Sequence, residues 1–425
     1  MAGLNSRCAC EKPPQIEAPV HILLIHQAFA ALDEPGGTRH HELARHLVQR
    51  GHRVTIIASP VSYLTGTTRI GCLRWVERRS DGPDITILRA YTYPALHRSF
   101  AHRIFSFLSF MLSSFLIGLG VRSVDLVWGT SPPIFQGITA WLLSRLKRAS
   151  FLFEVRDLWP AFAVAVGVLH SPLLIRLSEW LERFLYRRAK VVVVNSPGYI
   201  DHVRQRGARR VELVPNGAET AMFDPSATGQ VFRQQHNLQD KFIVLYAGAH
   251  GMSNDLGVML QAAKLLKDQP EIAFALLGDG KEKVNLIARA QELNLSNVHF
   301  LPPISKTTMP DALAAANACL AILKPVELYK TTYPNKVFDY MAAGRPVVLA
   351  IDGVIRQVID EASAGIPVPP GDPEAIAAAI HQLYLHPELG RAMGLRARSY
   401  VETHFDRALL ADRLADLILE LTAKP

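Results

Sequence analysis

The sequence predicts an α/β protein made of two doubly wound parallel-sheet domains, and three observations predict it. Short apolar runs alternate with helical stretches, first over residues 20–214 and again over residues 242–350. The runs are near-continuous in Val, Ile and Leu, as in strands covered on both faces. With 425 residues, 49% of them hydrophobic, the chain is too long for one ordinary core and too apolar to be disordered.

The first run, 20–25, leads into Pro35-Gly36-Gly37-Thr38-Arg39 and a helix over 40–50 with Leu43, Ala44, Leu47 and Val48 on one face. Gly51 ends that helix, and 54–58 is the next strand. This is a βαβ unit with a glycine-rich first turn, without the three spaced glycines of a dinucleotide site. Residues 69–93 contain strand-like pieces, notably 85–88.

Residues 99–121 are rich in Phe and Leu, include Ser106, Ser109, Ser113 and Ser114, and are flanked by His97, Arg98, His102, Arg103 and Arg122. The length is borderline for a membrane span. The serines favour a helix packed into the first domain, with an in-plane membrane-docking helix as the functional alternative. A strand at 124–128, a loop at 129–133 and a helix at 134–146 follow. The strand at 151–155 runs into Arg156-Asp157-Leu158-Trp159-Pro160. Polar residues just past a strand's C-terminal end lie where open α/β sheets bind ligands. A helix over 173–188 and strands at 191–194 and 211–214 complete this half, which closes on Pro215-Asn216-Gly217.

The expected division is a disordered lead-in over 1–19, a first domain over 20–225, a polar, helix-poor connection over 226–240, a second domain over 241–400 and a terminal helix over 401–425. The second domain restarts the alternation, with Gly248 and His250 after its first strand and Gly278-Asp279-Gly280 after its second. Strands at 298–301 and 318–323 follow, the latter leading to Lys324.

Residues 334–350 then form a loop, short helix and strand. Pro334 suits a helix start, Gly344 the left-handed position beyond its end, and Pro346 blocks continuation. Lys336 falls near the helix start and Asp339 one turn on. A helix start beside a lysine is a ready diphosphate site, and a carboxylate one turn on can hold a pair of sugar hydroxyls. The plainer reading of the pair is a solvated i,i+3 contact of little weight.

Charge is uneven. Residues 1–215 carry 27 Lys and Arg against 15 Asp and Glu, and the remainder 19 against 23. A basic half faces nucleic acid or an anionic membrane. No helix-turn-helix, zinc or aromatic RNA-binding pattern accompanies it, so the membrane is favoured and nucleic acid is not expected. Cys8, Cys10, Cys72 and Cys319 are scattered and form no disulfide or zinc pattern, which reads as a reducing cytosol. Residues 1–19 have neither the apolar core of a signal peptide nor a span.

The run P-N-K-V-F-D-Y-M-A-A-G-R-P resembles the signature of bacterial retaining glycosyltransferases of family 4, which have the GT-B fold. The closest likeness is to the WbuB-type group of O-antigen and capsule assembly. The opening G-G-T-R-H-H-E-L-A-R-H-L-V-Q-R-G-H-R-V-T-I-I and the string E-V-R-D-L-W-P resemble the same group. The resemblance implies two Rossmann-like domains facing a cleft, the last helix crossing back onto the first. It implies a sugar passed from a nucleotide diphosphate to a hydroxyl of a glycan acceptor, polyprenyl-diphosphate-linked, at an anionic membrane surface.

On that footing Asp339 matches the ribose-binding glutamate, Gly36 and Gly37 admit the donor phosphates and Arg39 sits nearby. Gly248, His250, Gly278, Asp279, Asn335 and Lys336 complete the donor side, and Glu154, Arg156, Asp157 and Trp159 form the acceptor side. Arg156, Asp157 and Lys336 are the catalytic candidates. The nucleotide sugar is a co-substrate and no other cofactor is expected. Developing charge on the leaving diphosphate is met by cationic side chains and helix starts instead of metal, and no Asp-x-Asp motif stands at a strand end.

Two departures stand out. The family's first glutamate falls on Thr331, and the arginine and lysine usual after the first strand of the second domain are replaced by Gly248-Ala249-His250-Gly251-Met252-Ser253-Asn254. Lys336, with Arg39 or Lys324, must then carry the diphosphate. Thr331 motivates the alternative of a non-catalytic sugar-nucleotide-binding subunit. A GT-B epimerase is less favoured because no paired catalytic carboxylates stand out.

Overall fold

A computed structural model describes residues 19–62, 66–68, 75–94 and 100–423. Residues 1–18 of the expected lead-in over 1–19, together with Cys72, His97 and Arg98, lie outside the described residues.

The first sheet holds β1 (His21–Ile25), β2 (Arg53–Ala58), β3 (Val76–Ser80), β4 (Ile85–Ala90), β5 (Leu126–Ser131), β6 (Ser150–Val155), β7 (Val191–Val194) and β8 (Val211–Leu213). Their order is β3-β4-β2-β1-β5-β6-β7-β8, parallel throughout except for the antiparallel β3–β4 edge. Side chains alternate between its faces. Ile22 and Leu24 pack with Leu43 and Leu47 of helix Arg39–Gln49 and with Leu410, Leu414 and Ile418 of helix Arg407–Thr422. Leu23 and Ile25 pack on the other face with Phe110, Leu143 and Leu185, from helices Phe100–Gly120, Gln136–Lys147 and Pro172–Arg188. The C-terminal helix therefore does cross back onto the first sheet.

Gly129, Thr130 and Ser131, expected in a loop, are strand residues paired with Phe153, Glu154 and Val155. At Gly129 no side chain fits because helix Gln136–Lys147 presses close: a Cβ there would lie 2.7 Å from that of Ala140.

The second sheet holds β9 (Phe242–Ala247), β10 (Ile272–Leu277), β11 (Val298–Leu301), β12 (Ala318–Ile322), β13 (Val347–Ala350) and β14 (Gly365–Pro367), all parallel. The order β11-β10-β9-β12-β13-β14 puts the topological switch between β9 and β12. Ligands bind outside the carboxyl ends of strands at such a point. In the first sheet the switch lies between β1 and β5.

Residues 226–240, expected as the connection, contain helix Gln230–Gln235 and send Phe232 and Leu238 into the core of the second sheet, beside Ala218 and Phe223. The chain passes between domains at Gly217 and returns at Arg407. The two crossings are bonded side by side, Ala218 N–H to Phe405 O at 3.0 Å and Arg407 N–H to Ala218 O at 2.8 Å. Gly217 is required by this approach, since a Cβ there would lie 2.1 Å from Phe405 O.

Candidate functional site

A cavity of about 430 Å³ opens between the carboxyl edges of the two sheets, within the roughly 300–1,000 Å³ range of small-molecule sites. Gly36, Gly37 and Thr38 after β1 and Arg156 after β6 line one wall. Gly248 after β9, Gly278 after β10, Lys306 after β11, and Asn335, Lys336 and Asp339 line the other.

Helix Asn335–Ala342 points its start into the cavity, with Pro334 as its N-cap and Gly344 at φ +67° just beyond its end. Val337, Phe338, Tyr340 and Met341 are buried, which fixes the helix and leaves Lys336 and Asp339 on the cavity side. Lys336 Nζ donates to Tyr246 Oη at 2.7 Å and lies 3.9 Å from the centre of that ring. Its other hydrogen-bond partner is Asn254 Oδ1 at 3.5 Å. No carboxylate pairs with it among the described residues, and burial pulls its pKa down to about 7. Gly248 (φ +148°) makes room for it, because a Cβ there would meet Nζ at 2.8 Å.

Asp339 does not pair with Lys336. Its Oδ1 accepts from Lys306 Nζ at 2.6 Å, which replaces the solvated i,i+3 contact with a buried pair. Burial, and secondarily Glu42, push the Asp339 carboxyl up, against the pull of Lys306.

Across the cavity Arg156 donates to His26 Nε2 at 2.7 Å. Arginine can only donate, so His26 accepts at Nε2. Burial and neighbouring cations hold its pKa well below the ordinary value. Its proton therefore sits on Nδ1, which donates to Thr130 Oγ1 at 3.0 Å. Gln136 Nε2 donates to the same hydroxyl at 2.9 Å, and Gln136 Oε1 accepts from Gln27 N–H at 2.6 Å. Arg156 is thus aimed by a bonded row that crosses the first switch point.

Asp157 does not line this cavity. It lies near the Tyr199 and Tyr329 phenols, whose pKa values are raised by burial and secondarily by its charge, and its own carboxyl is pushed up to about 6 by burial despite Arg156. Trp159 packs edge-on to Phe135 with centroids 5.9 Å apart. Asp279 caps the Gly280 N–H, and Asn335 Oδ1 faces Arg407 at 3.3 Å. His250 is fully buried behind the glycine turn, with neither ring nitrogen bonded and its pKa lowered to about 4, mainly by burial.

Of the sequence candidates outside the cavity lining, Glu154 and Arg39 are bonded to each other. Glu154 is fully buried in the first domain and accepts from Arg39 Nε (3.1 Å), His40 Nε2 (2.6 Å) and Trp128 Nε1 (3.1 Å). Arg39 spends its remaining donors on Pro215 O and Val214 O, both at 2.7 Å. Each charge satisfies the other, so neither is free for a phosphate or an acceptor. Lys324 lines a separate pocket with Tyr329 and Asp352. The sequence reading passed over Lys306, His26 and Tyr246. A lone lysine just past the end of β11 was the one available signal for Lys306.

Among the described residues no group of three or more His, Cys, Asp or Glu could hold a metal ion.

Residues 36–217 match the family model for the glycosyl transferase 4-like domain, and residues 241–386 that for glycosyl transferases group 1. The chain belongs to the family-4 glycosyltransferases of the GT-B fold. It is 27% identical over 379 residues to WcaI of Escherichia coli (strain K12), a protein named for glycosyl transfer in colanic acid biosynthesis; the match covers 86% of this chain and 91% of WcaI. Among solved structures, sucrose-phosphate synthase from Thermosynechococcus elongatus superposes with a TM-score of 0.76 at 21% identity, over 95% of this chain and 99% of that one. HepE of Anabaena, solved with UDP and glucose, superposes with a TM-score of 0.67 at 16% identity, over 93% and 98%. These likenesses carry the fold. The family carries the activity: this glycosyltransferase draws on a sugar-nucleotide donor.

Proposed function

We propose that this glycosyltransferase moves a hexose, 6-deoxyhexose or N-acetylhexosamine to a hydroxyl of a polyprenyl-diphosphate-linked glycan, with retention at the anomeric carbon and without a metal ion. The observation that carries the reading is Lys336: a half-buried lysine with no acid partner among the described residues, at a helix start, on the wall of the interdomain cavity. A diphosphate supplies the missing negative charge. In the transfer the bond from the anomeric carbon to the diphosphate oxygen breaks, and a bond to the acceptor oxygen forms on the same face. Lys336 and Arg156 stand on opposite walls to offset the charge that develops on the leaving diphosphate. Asp339 takes the ribose hydroxyls. Asp157, next to Arg156 but outside the cavity lining, is assigned to the acceptor side, where the hydroxyl's proton must leave as the new bond forms; burial pushes its carboxyl up to about 6.

The lipid-linked acceptor is supported by the first domain's surface. Phe105, Leu108, Leu112, Leu116 and Leu119 form one exposed stripe on helix Phe100–Gly120, while Ser106, Ser113 and Ser114 face inward. Ser113 Oγ donates to Tyr91 O at 2.6 Å. A helix meeting only water would place these residues the other way round. Leu142 and Leu146 on the next helix, and Leu173, Leu177 and Trp180 on the one beyond, are exposed as well. These three helices carry seven Lys and Arg against two Glu, a balance that suits an anionic inner leaflet. The relative named for colanic acid biosynthesis points to the same class of polysaccharide assembly.

A second reading, a sugar-nucleotide-binding subunit without turnover, is favoured by Thr331. Its hydroxyl bonds Leu328 O and its carbonyl accepts from Ser196 Oγ, so no charge stands where the family has glutamate. Incubating the protein with a panel of nucleotide sugars and a synthetic polyprenyl-diphosphate glycan, with and without EDTA, tests both. Product with the donor's anomeric configuration in the presence of EDTA is expected. Inversion or EDTA inhibition overturns the corresponding clause, and nucleotide binding without turnover across the panel favours the second reading.

A further inference from the structure

Three buried charges and a half-buried fourth, of alternating sign, run across the cleft. Arg407, at the return crossing, donates from Nε to Glu42 Oε2 at 2.8 Å, and also reaches Gly217 O at 2.5 Å and Asn335 Oδ1 at 3.3 Å. Glu42, on the first-domain helix, accepts from Thr38 Oγ1 at 2.6 Å and stands 4.0 Å from Lys306 Nζ. Lys306, in the second domain, lies 2.6 Å from Asp339. Arg407 is fully buried, and Glu42 and Lys306 are exposed by only 2% and 6%. The neighbouring Thr307 N–H donates across the domains to Leu32 O at 3.3 Å. Lys306 is thus the cation shared by a carboxylate of each domain, and Asp339, unlike Glu42, borders the cavity.

We propose that Lys306 is a positioning residue of the donor site: it holds Asp339 ionised for the ribose hydroxyls while Glu42, from the first domain, competes for the same cation. The inference rests on the assignment of Asp339 to the ribose. A buried carboxylate that loses its cation takes up a proton and can no longer accept from two hydroxyls. Other charged and titratable groups bear on Asp339 only weakly. Lys336, one turn earlier on the same helix, is bonded to Tyr246, and Arg407 reaches Asp339 only as a more distant charge. The Tyr340 phenol is committed to Ala247.

The test uses whichever of UDP, GDP, ADP and dTDP most raises the melting temperature of the full chain, with its affinity measured from pH 5 to 9 for wild type, K306M, K306R, E42Q and K306M/E42Q. K306M is expected to weaken binding about tenfold and to move the acidic limb of the profile to higher pH, with K306R restoring most of both. E42Q, remote from the cavity, removes the competing carboxylate and is expected to tighten binding at the acidic end, move that limb to lower pH and do less in the K306M background. Wild-type affinity and profile in K306M overturn the proposal, and independent, multiplying effects of E42Q and K306M overturn its cross-domain part. If K306M does not fold, K306R and E42Q decide it: unchanged binding and pH profile in E42Q overturn the link. No nucleotide binding by the wild type overturns the donor reading itself, and this inference with it.

Discussion

Lys336 joins a motif readable in the sequence to a charge state set only by the fold. Its identity and its place at a helix start were legible because proline, lysine and glycine punctuate that unit. Its solitude was not, because absence of a nearby carboxylate is a tertiary fact. Lys336→Ala should reduce turnover about 100-fold or more, the scale of losing one key transition-state donor, with the fold retained in circular dichroism. Near-normal turnover would remove Lys336 from the site. Its pKa of about 7, set by burial, adds a pH signature. A bound diphosphate favours the charged amine, so nucleotide binding takes up a proton, and affinity should fall with rising pH above 7, by up to about tenfold per unit. Calorimetry in buffers of different ionisation enthalpy reads that proton directly, and Lys336→Arg should abolish the uptake. For the free protein the sign is opposite. The unfolded lysine, at the ordinary 10.5, binds more protons between pH 7 and 10.5 than the folded one, so nucleotide-free stability should gain from this group across that window. Asp339→Asn should raise the donor KM more than it lowers kcat, and an unchanged KM would restrict Asp339 to its ion pair. Arg39 and Glu154 mark the limit of the motif reading. Both stand in strings that resemble the family's site, yet they are held by each other and by backbone carbonyls behind the cleft. Spacing alone does not separate a charge waiting for a ligand from one already satisfied.

Among the elements, the strands were the most legible, since Val, Ile and Leu runs covered on both faces have few alternatives. The exceptions have physical reasons. Near the end of β5 a glycine interrupts the apolar run because helix Gln136–Lys147 leaves no room for a side chain at Gly129. The short β14 has almost no apolar signal of its own, at three residues on the sheet's edge. Helix Phe100–Gly120 was legible as a helix, but its orientation was not. It is long and apolar enough to cross a membrane, with a mean hydropathy of 1.6 over its most apolar window, yet Thr139 Oγ1 bonds its Met111 carbonyl and Gly118 lies against Leu143. It is docked on the first domain with its apolar stripe outward. Phe105, 63% exposed, and Leu108, 42% exposed, are therefore surface residues. Replacing both by Ser should leave the melting temperature nearly unchanged and weaken flotation with anionic vesicles at low salt. The wild type should be released at least partly at high salt, since the basic residues contribute about 1 kcal/mol each near an anionic leaflet and screening removes that. A wild type that never floats would sink the membrane proposal.

At the scale of the whole molecule, two sheets with separate cores are joined by two chain crossings laid side by side, so the cleft geometry depends on how those crossings are held. The C-terminal helix and the cleft were legible through the resemblance. The device at the crossings was not, because Arg407, Glu42 and Gly217 are far apart in sequence and the string that contains Glu42 gives no sign of its partner. Arg407 is fully buried, bonded to Glu42 and to Gly217 O. Removing one partner of a buried pair leaves the other charge uncompensated and costs about 3–5 kcal/mol. Arg407→Met should therefore lower stability by about that amount at pH 7, visible in the urea midpoint. The pH dependence separates the lost ion pair from lost packing. In the wild type Glu42 is held down to about 2 against an ordinary 4.5, first by Arg407 and then by Lys306, which outweigh its burial. A depressed carboxylate contributes stability that is present above 4.5 and lost as the pH falls through 4.5 toward 2. Without Arg407 that depression shrinks, so less stability remains to be lost on acidification. The gap between wild type and Arg407→Met should narrow steadily between pH 4.5 and 3, where both proteins can still be followed by unfolding in urea. A gap that stays constant over that range would assign the cost to packing and hydrogen bonds at Gly217 alone and leave Glu42 no part in holding the crossings.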